Sequence, residues 1–306
     1  MTFTTRLKDE MSKNEFNPIE SNSIITSYLL TTGKFKKDRI ELLSENASVI
    51  RLVYRCLKQN YGINPIVNIR IQKRFRVKQI YILIIKEKVD VIKNDISVYQ
   101  GNIMETLVTD EEKQAFIMGS FMGVGSISDP KSKGYHLEFT YSDKKLAQNM
   151  ERLLSYYKMA VNLTVRNNKY VVYIKASENI SDVIKMFRAY NSLFEFEDIR
   201  IYRDHKNMVN RLNNCEIANQ EKTIKTGMKQ IENIHYLQDN DLIDLLDDNL
   251  KLIVEYRLKY PEASLQELAD IISMETDYKI GKSGINHHFI KINNLIKKHK
   301  EIENES

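Results

Sequence analysis

One order of elements occurs twice in this chain, and that repetition limits the possible folds more than any single motif. The second copy opens with "AFIMGSFMGVGSIS" (residues 115–128), an apolar run with recurring small residues that breaks into a strand-like segment through Gly125. "YHLEFTYS" (135–142) then alternates with period two, as a half-buried strand does. The amphipathic helix "SDKKLAQNMERLLSYYKM" follows, opened by Ser142 or Asp143 as N-cap. "NLTVRNN" and "KYVVYIKAS" turn over at Asn167 and Asn168, a hairpin signal, and the helix "ISDVIKMFRAY" closes the unit. The first copy gives a small-residue helix "IITSYLLTTGKF" ending at Gly33, then "RIELLSE" and the helix "NASVIRLVYRCLKQNYG". A hairpin from "IVNIRIQ" to "KQIYILIIKE" and the helix "VDVIKND" complete it. Two αββαββα-type repeats, over about residues 20–98 and 110–200, predict an α+β domain built from two like halves.

The length of 306 residues suggests two domains. A hydrophobic share of 42% supports a proper core, and 10 Gly and 4 Pro exclude low-complexity architecture. Two cysteines, Cys56 and Cys215, offer no disulfide framework and fit a reducing compartment. "MTFTTRLKDEMSKNE" is polar and charged rather than a targeting segment, and "YILII" (81–85) is far short of a membrane span. A cytoplasmic, nucleoid-associated protein without membrane contact is expected.

The net charge of +5 says little, but its distribution says more. Residues 239–277 hold eleven acids against three bases, whereas residues 278–300 hold six lysines, three histidines and no acid. A change of sign that sharp suits one face built for a polyanion, or a solvated basic tail. In the acidic part, Leu250, Ile253, Val254 and Leu258 share one side of a helix that ends at Pro261. Ser264 and Glu267 form a capping box, and Leu265, Leu268, Ala269 and Ile272 face inward from the next helix. Ser283 caps a third helix, on which Ile285, Phe289, Ile292 and Ile296 make one apolar stripe. Ser283, His287, Lys291, Asn294 and Lys298 fall opposite, with Asn286 and Ile290 at the flanks. That pattern fits a helix-turn-helix with its motif at about residues 264–298 and its recognition helix in the major groove, or a basic helix in a small bundle.

The glycine-ended helices resemble the LAGLIDADG helices of homing endonucleases, which point carboxylates at DNA. Laid on residues 25–33 and 117–125, the acid positions are Leu30, Thr32, Met122 and Val124. None can bind magnesium as an anion, and Glu138 on a strand does not restore two sites, so a packed interface without catalysis is expected. Over nearly its whole length the chain resembles the bacterial WhiA family, a degenerate LAGLIDADG domain joined to a C-terminal helix-turn-helix. The resemblance is carried by "AFIMGSFMGVGSISDP" with "YHLEF", by "MVNRLNNCEIANQEKT" (208–223), and by "PEASLQELADII" with "KSGINHHFIKI" (261–292). It implies a DNA-binding transcriptional regulator linked to cell division and chromosome segregation, and in spore formers to sporulation. The family carries arginines near His288 and Ile290; their loss here should weaken phosphate attraction, although His287 and Lys291 remain.

The expected architecture is a LAGLIDADG-like saddle over 1–222, a linker helix over 223–240 and a helix-turn-helix domain over 241–306. DNA contacts are expected from Lys282, Ser283, Asn286, His287, His288, Lys291, Asn294 and Lys298. The basic run "NIRIQKRFRVKQ" (68–79) could add phosphate contacts from the saddle. Double-stranded DNA at promoters is the expected ligand, and another transcriptional regulator or RNA polymerase the expected protein partner. No cofactor or metal is expected: adjacent histidines such as His287 and His288 point about 100° apart, and no Cys or acid joins them. Cys215 reads as small packing material. Arg203, His205, Lys206, Asn210 and Arg211 either touch DNA or pin the linker to the saddle. The competing readings are a division scaffold working through protein contacts, and a residual endonuclease or maturase-like RNA binder.

Overall fold

The protein is described by a computed structural model over residues 1–72 and 78–305. Helix α1 (Phe3–Met11) precedes the first repeat, which runs α2 (Pro18–Thr32), β1 (Lys34–Phe35), β2 (Ile40–Ser44), α3 (Ala47–Tyr61), β3 (Ile66–Gln72), β4 (Lys78–Ile85) and α4 (Val89–Ser97). After the short α5 (Ile103–Thr106), the second repeat runs α6 (Asp110–Val124), β5 (Gly125–Ile127), β6 (Leu137–Tyr141), α7 (Lys144–Tyr156), β7 (Val161–Arg166), β8 (Lys169–Ile174) and α8 (Ser177–Met186). The sheets are antiparallel with the orders β1-β2-β4-β3 and β5-β6-β8-β7. One topology is thus used twice, in the αββαββα order that the sequence predicts.

Local chemistry fixes the element boundaries. Asn17 with Glu20 and Thr109 with Glu112 form capping boxes that start the paired helices α2 and α6. Asp143, not Ser142, caps α7 by accepting from the Leu146 N–H at 2.9 Å. The β7–β8 turn places Asn167 and Asn168 at φ of 50° and 58°, the left-handed region that asparagine tolerates and a two-residue hairpin requires.

Helices α2 and α6 meet along small residues. A Cβ on Gly119 would stand 2.0 Å from Ser27 Oγ and 2.3 Å from the Ile24 carbonyl, and one on Gly123 would stand 2.6 Å from Thr31 Oγ1. Only glycine lets the backbones approach that far. The facing hydroxyls are satisfied within α2: Ser27 Oγ donates to Ile24 O at 3.1 Å, and Thr31 Oγ1 donates to Ser27 O at 2.9 Å. Ile25, Leu29, Ile117 and Phe121 are fully buried around this seam, in one core that draws on both repeats. Among the described residues strand β3 pairs only with β4, at the edge of its sheet, and leaves Ile66, Ile69 and Ile71 exposed.

Four helices complete the chain: α9 (Tyr190–Asp239), α10 (Asp248–Lys259), α11 (Leu265–Glu275) and α12 (Lys282–Glu305). The compact units divide between Asp204 and His205, inside α9. The boundary expected at 222 therefore falls within a continuous helix, because residues 205–222 bury no side chain and Phe196 is the last α9 side chain in the first core. The expected linker helix 223–240 is likewise the end of α9. Its Gly227, Gln230, Ile234 and Leu237 are buried, with Ile234 and Leu237 in the second unit's core beside Ile253 of α10, Leu268 and Ile272 of α11, and Ile285, Phe289 and Ile292 of α12. Cys215 is exposed on α9 and belongs to neither core, contrary to the reading as packing material.

Candidate nucleic-acid interface

Helix α11 begins at the predicted capping box: Glu267 N donates to Ser264 Oγ at 3.2 Å, and Ser264 N donates to Glu267 Oε2 at 2.7 Å. Its C-terminal turn and the loop after it are held by side chains. Thr276 Oγ1 donates to Ile272 O at 2.7 Å, Tyr278 N donates to Thr276 Oγ1 at 3.2 Å, and Ile280 N donates to Ser273 Oγ at 3.2 Å. The long connection is therefore a fastened loop that sets where α12 begins.

Helix α12 starts one residue before the expected cap. Lys282 is its first residue, and the Gly281 carbonyl accepts from Ile285 N at 3.1 Å. Ser283 thus lies within the first turn, because Gly281, also a favoured N-cap type, already takes the cap position. Ile285, Phe289, Ile292 and Ile296 are buried in the second unit's core, as the stripe predicts. Burying such side chains stabilises by about 1.5–3 kcal/mol each, which fixes the rotation of the helix and so decides which residues face out. Lys282, Ser283, Asn286, His287, Lys291, Asn294 and Lys298 are all exposed.

His288 departs from that face. It is half-buried, with Nε2 3.2 Å from Tyr278 Oη. Burial, followed by the nearby Lys291 ammonium, pushes its imidazole below the ordinary value of 6.5, partly offset by Asp247. Tyr278 comes from the loop, which helical periodicity does not describe.

Arg257 near the end of α10 was not singled out from the sequence, yet it is among the largest fully buried side chains. Its Nη1 donates to Ala263 O at 2.6 Å and Tyr260 O at 3.3 Å, and its guanidinium lies 5.7 Å from the Phe289 ring centroid. It thus joins the turn leading into α11 to the buried stripe of α12. Burial lowers its pKa. A buried arginine leaves no periodic signature in the sequence; only the carbonyls of a turn make it fit.

In the first unit, the motif positions carry no anion. Leu30 and Val124 pack against the core, Met122 is buried, and Thr32 Oγ1 donates to Tyr28 O at 2.7 Å. Among the described residues, no group of three or more His, Cys, Asp and Glu is placed to hold a metal ion. Glu138 on β6 accepts from Arg166 Nη2 at 2.8 Å and lies 3.0 Å from His136 Nε2. Glu41, which the sequence reading passed over, occupies the matching place on β2 and accepts from Lys36 Nζ and Arg39 Nε, each at 2.7 Å. Lys36, then Arg39, hold the Glu41 carboxyl below its usual range.

Cross-strand partners share a sheet face, and the faces that carry these carboxylates differ. Beside Glu41 stand Lys34, Leu43, Ile66, Asn68, Arg70, Gln72, Ile80, Ile82 and Ile84. Beside Glu138 stand Ser126, Thr140, Asn162, Thr164, Arg166, Lys169, Val171 and Tyr173. Each face carries cations, Lys34 and Arg70 on the first and Arg166 and Lys169 on the second, and the first face is the more apolar. In the basic run 68–79, residues 73–77 lie outside the described residues. Arg203 is committed to the second repeat: Nη1 and Nη2 donate to the carbonyls of Pro130, Ser132 and Lys133 at 2.7–2.9 Å, over the Tyr135 ring. His205, Lys206, Asn210 and Arg211 are exposed.

Three family descriptions match the chain in order: the WhiA N-terminal LAGLIDADG-like domain over residues 32–99, the WhiA LAGLIDADG-like domain over 113–206 and the WhiA C-terminal HTH domain over 209–296. A "Probable cell division protein WhiA" of Clostridium botulinum is 33% identical over 96% of this chain and 98% of its own. One from a Thermoanaerobacter species is 34% identical over 98% of this chain and 99% of its own. The crystal structure of full-length WhiA from Thermatoga maritima shares the fold with a TM-score of 0.57 at 21% identity, covering 97% of this chain and 99% of that one. A shared order of all three domains, with full-length relatives a third identical, places the chain in the WhiA family.

Proposed function

We propose that this chain is a non-catalytic, sequence-specific DNA-binding protein that regulates transcription in cell division, with α12 as its reading element. The carrying observation is the outer face of α12, where Lys282, Ser283, Asn286, His287, Lys291, Asn294 and Lys298 stand exposed opposite a buried apolar stripe. A helix held by one face and offering amides, an imidazole and ammonium groups on the other fits the major groove and its flanking phosphates. Promoter DNA is the proposed ligand, with another transcriptional regulator or RNA polymerase as protein partner. Roles in chromosome segregation and, in a spore former, sporulation belong to the same proposal.

The absence of catalysis is inferred from Leu30, Thr32, Met122 and Val124, which cannot hold magnesium as anions. Chromatin immunoprecipitation with sequencing tests the regulator reading: discrete promoter peaks support it, and uniform coverage opposes it in favour of a scaffold. Purified protein with magnesium should leave a plasmid carrying one of those sites un-nicked. Cleavage that survives repurification and disappears in Glu138→Gln would overturn the non-catalytic reading.

A further inference from the structure

From His205 to Lys222 every side chain of α9 is exposed, although Met208, Val209, Leu212 and Ile217 lie within that stretch. Met208 and Leu212 are 61% and 59% exposed. Helices in proteins owe most of their stability to packing an apolar face, and this stretch packs none. Two of its apolar residues, Met208 and Leu212, lie on one stripe, and Val209 and Ile217 lie off it. His205, Met208, Leu212, Cys215 and Asn219 follow one another at alternating spacings of three and four, the spacing of a coiled-coil seam.

We propose that this stripe is the seam of a parallel two-stranded coiled coil with a second copy of the chain. His205, Leu212 and Asn219 then occupy a positions, and Met208 and Cys215 occupy d positions. The flanking g and e positions hold Arg211 and Glu216. In a parallel pair, each g residue faces the e residue of the following heptad on the other helix, so Arg211 of each copy meets Glu216 of the other. An antiparallel pair brings g positions together and gives these charges no such match. Asn219 at an a position is the polar residue type that fixes register and two-stranded pairing. The stripe therefore supplies both halves of its own complement, which an unrelated partner would have to supply separately.

A groove runs beside the same helix. Leu212, Cys215 and Asn219 form one wall, and Glu262 and Glu267 stand on the other. About two heptads bury far less than the ~1,600 Å² of a standard interface, so the dimer is weak and reversible.

Sedimentation equilibrium of the full chain over its soluble concentration range tests the proposal, with a monomer–dimer equilibrium expected. Leu212→Asp should weaken the dimer at least tenfold while leaving the circular dichroism unchanged, since Leu212 is exposed and outside both cores. A short bismaleimide, which adds one thiol across each of its two double bonds, should join two chains through Cys215, because Cys56 is buried. That product should vanish in Cys215→Ser and in Leu212→Asp. Arg211→Glu and Glu216→Arg should each weaken the dimer a few-fold, and the two together should restore it. A chain that stays monomeric throughout overturns the proposal, as does a dimer indifferent to Leu212→Asp. Failure to link through Cys215, or charge reversals without effect, overturns the parallel register.

Discussion

Asn286 and His287 stand exposed near the start of α12, where a recognition helix usually places its base-reading side chains. An asparagine there can pair with adenine, and a histidine can donate to a guanine acceptor. Asn286→Ala or His287→Ala should therefore cost about 1–3 kcal/mol at one base position and flatten sequence preference. Lys291 carries charge without reading sequence. Lys291→Ala should weaken specific and scrambled duplexes alike and reduce the slope of log affinity against log salt by about one. Binding across a salt series on both duplexes separates the two roles. His288 behaves differently because it is partly withdrawn from solvent beside Tyr278. Its folded pKa lies below the ordinary 6.5, so its contribution to stability is complete above 6.5 and is lost as pH falls through the lowered value. Thermal melts from neutral to acidic pH should show that loss, and His288→Gln should reduce it; identical pH profiles would refute the assignment. The sequence made most of this face legible, since a period of 3.6 fixes angles around a helix. It did not reveal what fills the gap beside one residue when that group comes from a loop.

Helices α2 and α6 are the elements on which the first unit depends. Gly119→Ala sets a methyl against the Ile24 backbone, which cannot swing away as a side-chain end would. The expected loss is about 1–3 kcal/mol, typical of overpacking, and denaturant unfolding measures it. Gly134→Ala, with nothing within 4 Å of the added carbon, is the control and should stay within about 0.5 kcal/mol of the parent. Equal stability of the two variants would mean that the helices sit further apart than described. These helices were legible because small residues recur at the spacing of one face. The sheets were legible because residues such as Leu137, Phe139 and Tyr141 alternate with polar ones. The extent of α9 was not: apolar residues continue along it past Phe196, the last one in the first core, and nothing local distinguishes a stretch of helix that packs from one that stands in water. Arg257 escaped for the opposite reason, since its partners are backbone carbonyls and carbonyls have no residue type.

At the scale of the whole molecule, two separate cores lie in one chain, the first drawn from both repeats and the second from the end of α9 with α10, α11 and α12. Calorimetry of the full chain should resolve two transitions. Specific duplex should raise the second unit's transition by mass action and leave the first in place. If both rose together, the saddle would share the DNA. The open edge of the first sheet has a consequence for behaviour in concentrated solution. Strand β3 reads "IVNIRIQ", branched apolar residues with an unpaired flank, the composition from which cross-β stacking starts. Arg70 stands in the middle of it, exposed. Stacking identical strands in register would line up like charges 4.7–4.8 Å apart along the fibre, roughly the repeat of such an assembly. One guanidinium thus acts as a gatekeeper, leaving the edge bare while opposing the growth of a fibril from it.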